Sequence, residues 1–402
     1  MARSYRYISA DSHVEWPPDR WTHRVPAKYK DRAPRRIKLP DGRDAVLIEG
    51  RSLRYSSTGL YGAGPAEKFN PAAMDYDGTP GTGSAEERLK TQDQDGIDAE
   101  ILFGPSDVRN TAIKDRKALI TLIQAFNDCL AEEYCAVAPD RLIGIAFLPN
   151  IGAGDDIAEM ERCAKMGYKA VRLSTFPSGK SYPTDEDDRF WAAAVDLKMP
   201  LAIHTGMSGR ARGRGGNMLK YPKEPAEEWD PRIDFIERLS RHAIHHCGAV
   251  EMVQLVVAGV FERFPKLRIY WAENNIGWIP YFLEQMDHEY DTNRHWAEQL
   301  FGVRPLPRRP SEYLRENAYY GFFEDPAGLR RRHEIGVDRI MWSTDFPHEV
   351  TRWPNSIKVL ERSLGEAPQE EKWKITAGNA IKFFNLDHVA GNGERSRIEN
   401  QR

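Results

Sequence analysis

The stretch "PLAIHTGMSG", Pro200 to Gly209, is a short apolar run that stops at a histidine and opens into a glycine-bearing loop. A run this short and this apolar has the character of a strand buried on both faces. Seven more runs of the same kind lie along the chain. They are Arg6–Ala10 (RYISA), Ala99–Phe103 (AEILF), Leu142–Leu148 (LIGIAFL), Lys169–Ser174 (KAVRLS), Leu267–Glu273 (LRIYWAE), Ala318–Phe323 (AYYGFF) and Arg339–Thr344 (RIMWST). Longer helix-like stretches separate them. One begins at Ser84, a helix cap with Glu87 three residues on, and closes at Gly96. "ALITLIQAFNDCLAEEYCAVAPD" is apolar at helical spacing and ends near Pro139, and "GDDIAEMERCAKMG" has acids in its first turn and Gly167 at its end. "WIPYFLEQMDHEYD" follows the sixth run. Eight alternations of strand and helix predict a (β/α)8 barrel, with an open doubly wound sheet as the alternative.

Three segments fall outside this alternation. Residues 16–83 form a long Pro- and Gly-rich insertion after the first strand, residues 205–230 a Gly/Arg-rich, lid-like loop after the fifth, and residues 389–402 a polar tail. The expected organisation is one distorted barrel over 1–388, in which the first insertion offers a surface for a homo-oligomer, dimer or higher. The 402 residues are 41% hydrophobic and 29% charged, as in a globular protein with a large core, and a net charge of −3 argues against a nucleic-acid partner. No apolar run approaches the roughly 20 residues of a membrane helix. The opening "MARSYRYISADSHVEW" lacks a signal-peptide apolar region, and Cys129, Cys135, Cys163 and Cys247 make no CxxC pair, so a cytoplasmic protein with reduced thiols is expected.

Barrel chemistry sits at the C-terminal ends of strands. The first run leads into Asp11 and His13, whose i, i+2 spacing puts both on one face of an extended chain. The fifth ends at His204, the sixth at Glu273 and the eighth at Asp345. A barrel interior normally holds branched apolar side chains, so histidines and carboxylates converging there need compensation. Asp11, His13, His204 and Asp345 offer the nitrogen and oxygen donors that one divalent ion, Zn or Mn, takes. Arg172, on the fourth run, suits a substrate carboxylate or, alternatively, an ion pair to Glu273 or Asp11. Trp16, Phe103, Trp342 and Phe346 are candidate walls of an aromatic pocket, although aromatics near strand ends more often belong to the core. His348 lies three residues beyond Asp345 as a candidate substrate contact, and Arg210 leads the arginines of "SGRARGRGGN" in the lid-like loop. His242, His245 and His246 match HExxH only superficially, because no Glu follows the first His.

At these residues the chain resembles amidohydrolase-related proteins of the aminocarboxymuconate-semialdehyde decarboxylase type. "ADSHVEWPPDRWTHRVPAKYKDRAPR", "GVFERFPKLRIYWAENNIGWIPYFLEQMDH", "STDFPH" and "KITAGNAIKFF" carry the resemblance, in order, along nearly the whole chain. It implies a metal-dependent barrel with Asp11, His13, His204 and Asp345 as ligands, and with Asp345 handling protons. Asp11 stands where the family often has His, and Glu273 where it often has a catalytic His. The reaction implied is non-oxidative decarboxylation of a small aromatic or unsaturated carboxylic acid. The alternative is hydrolysis of an amide, a lactone or a C–C bond beside a carbonyl by a metal-activated water. A third possibility is a binding protein that keeps the barrel without catalysis. Glu273 is then a proton carrier, a group that orients a ligand, or a carboxylate holding a histidine tautomer.

Overall fold

Eight short parallel strands close a barrel. The computed structural model describes residues 3–38, 42, 44–48, 51–52, 76–77, 79–104, 113–207 and 248–386. Its strands are β1 (Ile8–His13), β2 (Arg35–Lys38), β3 (Asp44–Ile48), β4 (Arg51–Ser52), β5 (Ala99–Phe103) and β6 (Leu142–Gly144). They continue as β7 (Val171–Arg172), β8 (Leu201–His204), β9 (Ile269–Ala272), β10 (Ala318–Phe322) and β11 (Ile340–Trp342). Parallel pairing runs β1-β5-β6 and β7-β8-β9-β10-β11, and a parallel bridge from Ala146 to Val171 joins the two sets. Closure comes after β11, where Asp345 N donates to Asp11 O at 2.8 Å and His13 N donates to Phe346 O at 2.7 Å. All eight expected strands are therefore present. β2, β3 and β4 form a separate antiparallel sheet inside the insertion after β1.

The strands sort their side chains by the two-residue period. Ala99, Ile101 and Phe103 of β5, Ala202 of β8, and Tyr270 and Ala272 of β9 fill the interior with Ile8, Ala10, Tyr319 and Met341. Leu102, Leu201, Ile203 and Trp271 point the other way, into the layer shared with the helices. The helix Ala85–Asp95 starts as its sequence predicts, with Ser84 and Glu87 capping each other, and it ends at Gly96 with φ 76°. The helix Ile279–Phe301 outruns the stretch read from the sequence. Its buried residues all lie between Ile279 and Met286, so the rest carries no apolar period to read, and no breaker intervenes before Gly302 at φ 65°. Cys129, Cys135 and Cys163 are free thiols, and no helix among the described residues is long and apolar enough to cross a membrane. Arg210 and the rest of the arginine loop, His242, His245, His246, Cys247 and the tail 389–402 lie outside the described residues.

Candidate metal centre

The first strand reaches the site through a break in its register. Ile8 and Ala10 both pack in the interior, so plain alternation would send Ser12 inward and Asp11 and His13 outward. Between Ser9 and Ser12 the pairing slips: Ser9 sits opposite Glu100, and Ser12 already opposite Leu102. This bulge adds one residue to β1 and turns Asp11 and His13 inward. Ser9 and Ser12 meet Thr344 instead, with hydroxyl contacts of 3.0 and 3.1 Å that fasten the chain after β11 to β1.

Four side chains converge at this end of the barrel. His13 Nε2 and His204 Nε2 are 2.9 Å apart. Asp11 Oδ1 lies 3.5 Å from His13 Nε2 and 3.4 Å from His204 Nε2, and Asp345 Oδ1 lies 3.2 Å from His13 Nε2. All four residues are buried, and one ligand atom from each falls within 4.8 Å of the others. Glu273 is outside this set, with Oε2 3.5 Å from His204 Nδ1 on the far side of that ring. Backbone strain concentrates here as well. Thr205, Glu273 and Asp345, each just beyond a barrel strand, take left-handed backbones at φ 53°, 58° and 51°. For non-glycine residues this costs about 1 kcal/mol each, a cost typical of functional positions.

The electrostatics describe a cluster short of positive charge. Burial pushes the Asp11 carboxyl up to about 8, against the pull of His348 and Arg172. Burial also raises Asp345, again against His348. Glu273 is raised well above the carboxylate range by burial and then by Asp345 and Asp11. Burial drives His13 well below its ordinary value, and cationic neighbours add to the effect. Both oxygens of Asp11 are buried and accept no hydrogen bond from any described residue. A divalent cation among these donors would stabilise the ionised carboxylates and take the lone pairs of neutral imidazoles: two imidazole nitrogens and two carboxylate oxygens are a set that such ions accept. The residues present therefore fit the expected metal.

Other expected site residues divide. Arg172 is buried on β7, close enough for its charge to act on Asp11, His13 and Glu273. The Phe103 ring packs 5.0 Å from His204 and 5.9 Å from His13. His348 stacks on His13 at 3.9 Å, with Nδ1 2.9 Å from Asp345 Oδ1 and Nε2 3.0 Å from Glu15 Oε1. Burial opposes charge on His348, but Asp345 and Glu15 outweigh it and raise its pKa well above the usual value.

Trp16 is not brought to the cluster. Its ring is 1% exposed and packs 4.7 Å from Tyr134 and 5.8 Å from Phe126, in the layer between barrel and helices. Phe346 lies against the Arg88 guanidinium at 4.5 Å, and Trp342 packs edge-on to Tyr7 at 6.5 Å. The core reading of these three aromatics holds over the pocket reading. Glu15 was missed by the reading of the sequence, although the spacing Asp11, His13, Glu15 continues the same alternate positions and pointed to it.

Comparisons with known proteins bear on the family and the fold. The chain is 29% identical over 317 residues to a γ-resorcylate decarboxylase of Rhizobium sp., covering 75% of this chain and 86% of that one. An amidohydrolase structure from Mycobacterium avium subsp. paratuberculosis superposes with a TM-score of 0.72 at 21% identity, over 95% of this chain and all of that one. A 5-carboxyvanillate decarboxylase from Novosphingobium aromaticivorans, complexed with manganese and a nitrobenzoic acid, superposes at 0.65 with 19% identity, over 96% of this chain and 99% of that one. The amidohydrolase family profile matches residues 10–386, so the chain belongs to the amidohydrolase family and is an enzyme of that superfamily.

Proposed function

We propose that this enzyme is a metal-dependent, non-oxidative decarboxylase of a hydroxylated aromatic acid. The observation that carries the reading is the buried four-residue cluster with the Arg172 guanidinium close by. Its likeness to γ-resorcylate decarboxylases favours decarboxylation over the hydrolysis that the same cluster supports. Asp11, His13, His204 and Asp345 would hold one divalent ion, with manganese the first to test because a structural relative is complexed with it. The bound ion supplies Lewis-acid charge against the substrate's carboxylate and neighbouring oxygen.

The chain's own residues supply the rest. Arg172 binds and orients the carboxylate. Phe103 offers its ring to the substrate's aromatic face. Asp345 carries the proton: it gives H⁺ to the ring carbon that bears the carboxylate, the C–C bond breaks, its electron pair stays with the ring, and CO2 leaves. In net terms, an aryl carboxylate and a proton become an arene and CO2. From Asp345 the contacts through His348 to Glu15 run outward, a route by which a proton can return.

The test is CO2 release from the manganese- and zinc-loaded enzyme with 2,6-dihydroxybenzoate, other hydroxybenzoates and 5-carboxyvanillate. Release with at least one acid is the expected result. No CO2 from any acid, together with turnover of esters, amides or lactones, would overturn it in favour of a hydrolase.

A further inference from the structure

Both imidazoles of the cluster turn Nε2 toward its centre, and a glutamate stands behind each. Glu273 Oε2 lies 3.5 Å from His204 Nδ1, and Glu15 Oε1 lies 3.8 Å from His13 Nδ1. A neutral imidazole has a single N–H, and an acceptor behind one nitrogen keeps the proton there. With both protons on Nδ1, two lone pairs face each other across the 2.9 Å between the Nε2 atoms. A cation between them removes that repulsion, so the arrangement is preorganised for a metal and unfavourable without one.

The position of Glu273 is built rather than incidental. Tyr270 and Ala272 point inward, so an extended backbone would turn Glu273 away from the interior. Its left-handed φ of 58° redirects the side chain. The turn that follows is fastened on three sides. Asn274 donates to Ala272 O at 2.6 Å and accepts from Gly248 N at 2.8 Å, and Asp325 accepts from Ile276 N at 2.8 Å and Gly277 N at 2.6 Å. Glu15 is held in turn by His348 Nε2 at 3.0 Å.

We propose that Glu273 and Glu15 are positioning residues that, from ion-pair distance, bias His204 and His13 toward the Nδ1–H tautomer, so that Glu273 acts on the metal centre through His204 and carries no proton to substrate. The inference rests on the cluster holding a divalent ion and stands whether the reaction is decarboxylation or hydrolysis.

The test is Mn²⁺ affinity by titration calorimetry of metal-stripped protein, with no substrate present. Glu273→Gln keeps a side-chain oxygen facing Nδ1–H and should bind Mn²⁺ within a few-fold of the parent, with turnover largely kept. Glu273→Ala removes the acceptor and should weaken binding about 10- to 100-fold. Glu15→Ala should do the same to a smaller degree, because its contact is longer. Nitrogen-15 spectra of the parent's imidazoles should show the Nδ1–H form for both rings. Parent-like Mn²⁺ affinity in Glu273→Ala would overturn the proposal. So would Glu273→Gln that binds Mn²⁺ normally but does not turn over, since that marks a proton carrier. If Glu273→Ala does not fold, an Nε2–H tautomer of His204 in the parent would overturn it alone.

Discussion

Two buried charge clusters meet back to back at His13, and they differ in what balances them. On the outer side, Arg88 makes a two-pronged pair with Glu100 at 2.6 and 3.0 Å and donates to His13 O at 2.8 Å and Phe346 O at 3.3 Å. Gln92 adds a further donor to Glu100 at 2.7 Å. On the inner side, Asp11 has two buried oxygens that accept no hydrogen bond from any described residue, and two imidazole nitrogens face each other. Arg88 and Glu100 are as deeply buried as Asp11 and His13, so burial does not separate the clusters. Completion does: the outer one is a closed structural clamp, and the inner one is left open by the described residues.

Breaking the inner cluster should therefore cost function and leave the fold. His204→Ala is expected to lose its metal and to cut turnover about 10³-fold, or about 4 kcal/mol of transition-state stabilisation. Its far-ultraviolet circular dichroism should stay that of the parent. Full metal occupancy by plasma spectrometry would show that His204 is not a ligand. Asp345→Asn should keep part of the metal and lose turnover about 10²- to 10⁴-fold as the proton carrier disappears. Parent-like rates would remove Asp345 from the chemistry.

Breaking the outer clamp should do the reverse. Arg88→Met strands the Glu100 carboxylate in the core and should lower unfolding free energy by about 3–5 kcal/mol. Adding Glu100→Leu should recover much of that, because removing both charges avoids the unpaired one. Denaturant titration of the single and double variants checks this, and the metal content of the folded fraction should be unchanged in both. Loss of metal from Arg88→Met would mean that the two clusters act as one.

The same contrast explains what the sequence made legible. Asp11, His13, His204 and Asp345 were readable because strand ends could be located and their residue types are costly in a barrel interior. The means of aiming them was not readable. The slip between Ser9 and Ser12 depends on pairing with β5, which spacing within one strand does not show, and the apolar run ends at Ala10 although β1 continues to His13. Arg88 and Glu100 come from a helix face and the outer side of a strand, and only the tertiary structure joins them. Trp16 was misread because nearness in sequence to Asp11 and His13 does not set the direction of a side chain once the chain leaves β1.

The smallest expected effect separates the clusters by titration. Asp11 has a folded pKa of about 8, above its unfolded value, so its protonated form stabilises the metal-free fold. That stability is complete below the unfolded pKa near 4 and is lost as pH rises through about 8. Between about pH 6.5 and 8, His13, whose folded pKa is depressed, is neutral in both states and adds little. Asp345 and Glu273, both raised, cannot oppose the direction. Metal-free protein should therefore weaken as pH rises across this window. Asp11→Asn should remove up to about 1.4 kcal/mol per pH unit from that slope. Saturating Mn²⁺ should oppose the fall, because protons compete with the ion for the same oxygens. The Arg88→Met/Glu100→Leu double variant, measured in the same way, should keep the parent's slope, because it leaves no stranded carboxylate to titrate. If Asp11→Asn left the slope intact, the inner cluster would be balanced within the chain after all, and the distinction between clamp and metal centre would fail.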